Sequence, residues 1–324
     1  MSQIDQIKQP VKKEMKQFED YFKQSMESNV PFLNIILNYI LRRKGKQMRP
    51  LFVFLTSKLL GETNKASFTA ASLIELLHTA TLIHDDVVDE SYKRRGAFSI
   101  NALWKSKISV LIGDYLLSRG LLLAVREKEY EMLEIVSEAV KAMSEGELLQ
   151  VKKSRKIFIT EEEYFEIIQK KTASLIASCT ACGARAVTEE KKTVDAFHTF
   201  GETVGLAFQI KDDLLDYQNS GGIGKPTGND VKEKKVTLPL IYALNNTNEN
   251  IKKGIKKAFG KKGKSKKEVQ EIIDFVIENK GIEQAKEKMF QLKDQAIEML
   301  KDYEGEPAFD ALKTLVEYTV NRDK

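Results

Sequence analysis

A chain of 324 residues with 42% hydrophobic and 31% charged residues is long and apolar enough to bury a large core, which excludes disordered and fibrous classes. No apolar run reaches the length of a bilayer span, and the polar start MSQIDQIKQPVKKEMK lacks the apolar core of a signal peptide, so a cytoplasmic protein is expected. Six prolines, with long stretches free of Gly and Pro, predict an all-α chain.

Ile4, Ile7, Val11, Met15, Phe18 and Phe22 recur at helical spacing and predict an amphipathic first helix over 3–28. Pro31 suits the first turn of a second helix and Gly45 its C-terminal cap. GKQMRP, 45–50, is a short loop carrying Lys46 and Arg49. Pro50 closes it at the start of the helix PLFVFLTSKLLG, which Gly61 ends. The next predicted helix covers 67–90, with Leu73, Leu76, Leu77 and Val88 on its core face. It ends in LIHDDVVDESYKRRG, where Asp85, Asp86 and Asp89 form a DDxxD arrangement followed by Arg94 and Arg95.

Residues four apart share a helix face, so Asp85 and Asp89 are neighbours. Two carboxylates that close call for something positive between them: a hard divalent cation, a cationic side chain or a shared proton. One such pair on a solvated helix end is common. His78 lies seven residues earlier, two turns below Asp85 on the same face.

A long apolar helix over 103–126 follows, with Asp114 inside it in need of a partner. Another covers 131–154 and contains GELLQ, then a short extended link spans 156–160. Thr160 with Glu163 is a capping box opening a helix that passes through Lys170, Lys171 and Thr172 and ends near Arg185. Cys179 and Cys182 form a CxxC in mid-helix. With no second pair they read as core packing rather than metal or redox chemistry.

The helix over 189–217 ends in FQIKDDLLDY, where Asp212, Asp213 and Asp216 repeat the DDxxD spacing. Gln209 lies three, four and seven residues before them and shares their face. Asn219 to Leu238 is Gly-rich and irregular, and its Lys225 and Lys235 are placed to reach back to this cluster. Its glycines do not follow a strand, so a dinucleotide fold or a P-loop fails on context. From Pro239 on the chain is helical. No repeat and no linker is evident, so 1–324 is expected to be a single domain.

The net charge of +5 is unevenly spread. Nine lysines and no acid lie between Lys252 and Lys267, which leaves the rest at −4. The run reads as a solvated loop with adjoining helix faces, transient contact with an anionic membrane surface being the alternative. Only Phe259 interrupts it, so it offers no stacking platforms for nucleic acid.

A second aspartate cluster makes surface decoration a poor explanation of the first. Carboxylate oxygens without soft ligands suit magnesium, which holds one or two carboxylates and completes its shell with water and substrate phosphates. Lysines and arginines nearby would contact those phosphates directly. The residues therefore point to a diphosphate substrate bridged by magnesium to both clusters, with a greasy remainder over the apolar helix faces.

From GKQMRP through LIHDDVVDESYKRRG, GELLQ, KKTA, FQIKDDLLDY and GKPTGND to VTLPL, the chain resembles the all-trans polyprenyl diphosphate synthases almost end to end. The resemblance implies the all-α isoprenoid synthase fold, with core helices around a deep central cavity, and a homodimer. It implies head-to-tail addition of isopentenyl diphosphate to an allylic diphosphate, with three Mg2+ ions per active site. Asp85 and Asp89 would ligate two ions and Asp212 the third, with Asp216 and Asp213 supporting. Arg94, Lys171, Thr172, Gln209, Lys225 and Lys235 would hold the allylic diphosphate or its cation, and Lys46, Arg49, His78 and Arg95 the isopentenyl diphosphate.

In such enzymes bulky residues about one turn before the first aspartate motif close the cavity floor. Here those positions are Ala80 and Thr81, neither aromatic. A long product of six to eight isoprene units is therefore expected, as in a quinone side chain. The alternatives are a shorter-chain synthase or a subunit of a heteromeric one. A terpene cyclase is disfavoured by the second DDxxD and by GKQMRP, and a non-catalytic subunit by the complete set of aspartates.

Overall fold

Caps and prolines set several element boundaries. The computed structural model describes residues 3–43, 45–94, 96–154, 158–217 and 228–322. Arg95 and Lys225 lie outside them. The helices are α1 (Gln3–Ile7), α2 (Lys12–Met26), α3 (Pro31–Leu41), α4 (Met48–Leu60), α5 (Lys65–Val88), α6 (Ile100–Glu127), α7 (Tyr130–Ser154) and α8 (Glu161–Ile168). They continue as α9 (Ser174–Arg185), α10 (Lys191–Tyr217), α11 (Asn229–Glu233), α12 (Leu238–Asn245), α13 (Glu249–Gly260), α14 (Lys266–Glu278), α15 (Gly281–Glu298) and α16 (Phe309–Asn321). A two-residue antiparallel hairpin, β1 (Lys93–Arg94) and β2 (Ala97–Phe98), separates α5 from α6. The all-α expectation holds.

Local chemistry explains the starts. Pro31 opens α3 because a first-turn residue needs no N–H partner. Thr160 and Glu163 close the predicted box at α8, each side chain bonding the other's backbone N–H at 3.2 and 3.1 Å. Asn64 and Ser67 form a second such box at α5.

The contacts divide the chain into two compact units. The first holds residues up to Val140 with Ser178–Thr199 and Tyr303–Leu312. The second holds Lys141–Ala177, Phe200–Asp302 and residues from Lys313 on. In the first unit α5 and α6 pack along their length. Phe54 packs edge-on to Phe18 and Phe68, centroids 5.8 and 5.0 Å apart, tying α2, α4 and α5 together. In the second, α12 packs on α14 and α15, and Leu240, Val276 and Ala285 are fully buried in its core. Each large apolar side chain so buried is worth roughly 1.5–3 kcal/mol.

Several expectations need correction. The first helix is broken: a 3-10 turn at Gln9–Val11, containing Pro10, separates α1 from α2, because proline lacks the N–H that a continuous ladder needs. Helix α3 ends at Leu41, not at Gly45. Val88 is 80% exposed rather than core-facing, because α5 ends there and its last turn leaves the packed region. Asp114 is exposed and lies 3.5 Å from His84, so it needs no buried partner. Of the 219–238 stretch, 219–227 lie outside the described residues, and the rest contains a short helix, α11.

Length and composition alone make α5 and α6 apolar enough to cross a membrane, against the expectation that no run is. The reason is that mildly polar Ser, Thr and His residues interrupt them without adding charge. About 61% of the apolar window of α5 is buried in the structure and 33% of that of α6. Among the exposed residues of α6 are Leu111, Leu122 and Val125.

The lysine run falls on α13, the turn after it and the start of α14. Lys252 pairs with Glu249 and Lys261 with Glu268, and Phe259 is buried. Both cysteines are free and buried, and burial pushes the Cys179 thiol far above its ordinary range. They are packing residues.

Candidate active site

In the first unit the acidic cluster sits where α5 runs out. Asp89 is the C-cap and its N–H bonds Asp85 O at 2.8 Å, so the two side chains leave one helix end a single turn apart. Asp85 is half-buried and Asp89 exposed.

The middle aspartate behaves differently. Asp86 is buried, and its Oδ1 accepts from both Nε and Nη2 of Arg94 at 2.8 Å. Burial pushes its carboxyl up, and Arg94 works against that shift. This bridge fastens the hairpin to α5. Tyr39 reinforces it by donating its hydroxyl to Phe98 O at 2.6 Å. Arg94 is therefore held on Asp86 in the structure.

Arg94 and Asp86 line a cavity of this unit together with Arg43, Arg49, Glu75 and the apolar Phe22 and Ile83. Arg49, on the first turn of α4, bonds Glu75 through Nε at 2.6 Å. Its turn begins at Gln47, which takes the left-handed conformation (φ 54°). The cavity so joins Arg94, expected to serve the allylic substrate, with Arg49, expected to serve isopentenyl diphosphate. Lys46 is exposed on the loop before α4, and His78 is half-buried on α5. Ala80 is buried in a packed cluster that includes Ile36, Ile112 and Leu116. Thr81 is half-buried, its hydroxyl bonded to His78 O at 2.9 Å.

In the second unit the predicted helix through 160–185 is interrupted. Gln169–Ala173 forms a π-helical turn between α8 and α9, and the Ser174 N–H bonds Gln169 O, five residues back. Such single turns widen a helix and recur at functional sites. This one carries Lys171 and Thr172.

Two glycines make room for it. A Cβ on Gly146 of α7 would stand 2.8 Å from Lys171 N, and one on Gly205 of α10 would stand 2.5 Å from Ala173 Cα. The rest of GELLQ then acts on Lys171, whose ammonium lies 2.6 Å from Glu147 Oε2 and 2.7 Å from Gln150 Oε1.

Gln209 joins the π turn to the second cluster. Thr172 donates its hydroxyl to Gln209 Oε1 at 2.7 Å, and Gln209 Nε2 donates to Asp213 Oδ1 at 2.8 Å. Tyr164 completes the chain with a 2.6 Å bond from its hydroxyl to Asp213 Oδ2. Burial and the neighbouring charge of Asp230 push Asp213 up to about 7.

The flanking aspartates are differently engaged. Asp212 accepts from Arg322 Nη2 at 2.6 Å, and that guanidinium lies over the Phe208 ring, 3.9 Å from its centroid. Asp216 accepts the N–H of Asn229 at 3.0 Å and of Asp230 at 2.9 Å, anchoring the start of α11. Burial pushes Asp230 up to about 6, with Asp216 adding to the shift. Lys235 pairs with Glu233 at 2.6 Å. Burial draws its ammonium down, and Glu233 more than offsets that. Lys171, Thr172, Gln209, Asp213, Asp230 and Lys235 line one cavity of this unit.

Reading the sequence alone missed Asp86 as a separate, buried group, and also Glu147, Gln150, Tyr164, Asp230 and Arg322. GELLQ and GND carried signals for Glu147, Gln150 and Asp230. Tyr164 and Arg322 carried none, because their partners lie 49 and 110 residues away.

The donor set suits a hard divalent cation. Both clusters offer carboxylate oxygen alone, and Arg322 already sets a positive group on Asp212. Among the described residues no three or more His, Cys, Asp or Glu converge to cage a metal.

A family model described as polyprenyl synthetase matches residues 30–276. The chain is 35% identical over 305 residues to the octaprenyl diphosphate synthase of Escherichia coli (strain K12), covering 93% of each. The crystal structure of a decaprenyl diphosphate synthase from Rhodobacter capsulatus superposes with a TM-score of 0.91 at 31% identity, over 99% of both chains. That of a geranylgeranyl pyrophosphate synthase from Bacteroides thetaiotaomicron gives 0.84 at 36% identity, over 99% of this chain and 100% of the other. Enzymes of this family are prenyltransferases that use a divalent metal. Motifs, fold and likeness along the whole length agree: this chain has the isoprenoid synthase fold and belongs to the polyprenyl synthetase family.

Proposed function

We propose that this protein is a magnesium-dependent trans-prenyltransferase that adds isopentenyl diphosphate head-to-tail to an allylic diphosphate and releases a long all-trans polyprenyl diphosphate. The observation that carries this reading is the pair of DDxxD clusters, with Gln209 of the second bonded to Thr172 on the π turn. The whole of 1–324 acts as one catalytic domain in this proposal.

Asp85, Asp89, Asp212 and Asp216 would hold three magnesium ions, which when bound neutralise the departing diphosphate. Arg94, Lys171, Lys225 and Lys235 would each lend positive charge to the departing diphosphate, so that the allylic C–O bond breaks with its electron pair leaving on oxygen. Lys171 is aimed by Glu147 and Gln150. Thr172 and Gln209 turn oxygen dipoles to the allylic cation, whose survival requires that water be kept from it during the reaction. Lys46, Arg49, His78 and Arg95 hold isopentenyl diphosphate so that its double bond attacks the cation. A carbon–carbon bond forms, and the proton lost next goes to an oxygen of the released diphosphate, so no dedicated general base is needed.

The relatives include an octaprenyl diphosphate synthase, which with the small Ala80 and Thr81 supports a product of six to eight isoprene units, although a decaprenyl diphosphate synthase, whose product is longer, is among them too. A homodimer is part of the proposal. Phe32 and Ile35 on α3 and Leu111, Leu122 and Val125 on α6 are exposed, and apolar faces of this kind are generally covered by a partner. Sedimentation of the purified protein tests it: a monomer at micromolar concentration would exclude it. The proposed location is the cytoplasm, and the product's use in a quinone side chain belongs to the same proposal.

The site assignment is tested by Asp85→Asn, Asp89→Asn and Asp212→Asn, assayed for isopentenyl diphosphate incorporation across a magnesium titration. Each is expected to lower turnover at least 100-fold with its fold intact, and chelation of magnesium to abolish turnover. Wild-type rates in all three variants would remove the metal assignment.

A further inference from the structure

We infer that Tyr164 and Asp213 are positioning residues that fix which end of the Gln209 amide faces the reacting allylic group. The inference rests on the prenyltransferase reading of the same site.

The two ends of a glutamine amide are nearly the same shape, so hydrogen-bond partners decide its orientation. Gln209 is held at both ends. Its Nε2 donates to Asp213 Oδ1 at 2.8 Å, and its Oε1 accepts from Thr172 at 2.7 Å. Asp213 takes the NH2 end on Oδ1 while its Oδ2 takes the Tyr164 hydroxyl, which leaves the amide oxygen on the side of Thr172 and the π turn. A turned amide would set oxygen against oxygen at Asp213 and leave the Thr172 hydroxyl facing an NH2 group.

Asp213 is itself fixed. It is 5% exposed, and its other oxygen accepts the hydroxyl of Tyr164, which is 2% exposed. Tyr164 lies on the first turn of α8, four residues after the capping residue Thr160 and five before the π turn begins. One chain of hydrogen bonds thus runs Tyr164, Asp213, Gln209, Thr172, and every member lines the same cavity of the second unit.

This separates Asp213 from the rest of its motif. Both of its oxygens are spent on side chains, one of them a tyrosine with which it is buried. Asp212 and Asp216 are the more exposed pair. The middle position of the second DDxxD therefore orients a neighbour. Dipole orientation matters at this point because a cation is stabilised by an oxygen and repelled by an NH2 group.

The test is a double-mutant cycle with Tyr164→Phe and Gln209→Leu. It is read by single-turnover condensation and by the fraction of allylic substrate released as alcohol through capture of the cation by water. Tyr164→Phe is expected to slow condensation about 5- to 20-fold and to raise the alcohol fraction, with KM for isopentenyl diphosphate unchanged. In the Gln209→Leu background the same change should cost less than twofold, because residues acting through one another are non-additive. A multiplicative cost in both backgrounds, or no cost in either, would overturn the inference while leaving wild-type activity as support for the underlying reading. Absence of any polyprenyl product from the wild type would instead overturn that reading. Should Tyr164→Phe fail to fold, Asp213→Asn takes its place in the cycle, since an asparagine keeps the volume but accepts from only one of the two donors.

Discussion

Gly205→Ala tests the packing that holds the π turn. The added methyl would lie 2.5 Å from Ala173 Cα and 2.8 Å from its Cβ, and backbone cannot rotate away as a side chain can. To relax the closest contact to an ordinary 3.4 Å, α10 and the π turn must part by about 0.9 Å. Overpacking of this kind costs about 1–3 kcal/mol of stability. Lys171 and Thr172 immediately precede Ala173, so they move with it, and a misplacement of about 1 Å near the reacting atoms lowers rate on the order of 100-fold.

Urea unfolding and steady-state kinetics read the two effects separately. The expected result is a folded variant with lower stability, kcat reduced about 100-fold, and KM for isopentenyl diphosphate within twofold of wild type. Gly146→Ala, whose closest contact would be Lys171 N at 2.8 Å, should act in the same direction but less strongly. A Gly205→Ala protein that keeps wild-type stability and kcat would refute the claim that close packing positions these two residues.

Three further outcomes are expected. Ala80→Phe should shorten the product, at a stability cost of about 1–3 kcal/mol because Ala80 is buried against Ile36, Ile112 and Leu116; an unchanged product length in a radiolabelled isopentenyl diphosphate assay would show that Ala80 does not close the floor. Arg322→Gln removes the cation held on Asp212, so magnesium titrated against the protein and diphosphate should half-saturate at roughly two- to fivefold lower concentration, about 0.4–1 kcal/mol for a partly exposed pair; unchanged or weaker binding would contradict Asp212 as a ligand. Without metal, the folded chain keeps a proton on Asp213 up to about pH 7, whereas the unfolded chain loses it near 3.8. That stabilisation is complete below pH 3.8 and is lost as pH rises through 7, about 4 kcal/mol as an upper bound; unfolding of Asp213→Asn should show a smaller fall, the remainder coming from the raised Asp230, and an identical pH profile would contradict it.

Local signals made much of the fold legible. Pro31, Gly61 and the Thr160–Glu163 box mark helix ends by chemistry that acts within a few residues, and the structure places ends there. The same holds within the site: Gln209 and Asp213 are four apart and bond as that spacing allows. What could not be read is set by shifts of register and by distance along the chain. The π turn at 169–173 changes a hydrogen-bond ladder without requiring any particular residue type. Val88 fits the apolar pattern of α5 and is exposed only because the helix stops. The spacing paired Asp85 with Asp89 and gave Asp86 no role, whereas burial sets Asp86 apart and gives it Arg94. Tyr164 and Arg322 meet the second cluster only through folding.

The central claim is tested most directly by product analysis. Purified protein is incubated with magnesium, isopentenyl diphosphate and either geranyl or farnesyl diphosphate, and the released diphosphates are dephosphorylated and separated by chain length. The expected result is a ladder ending at all-trans products of about six to eight isoprene units from the purified chain alone. A released cyclic hydrocarbon, or no elongation by the folded chain with either primer, would contradict it.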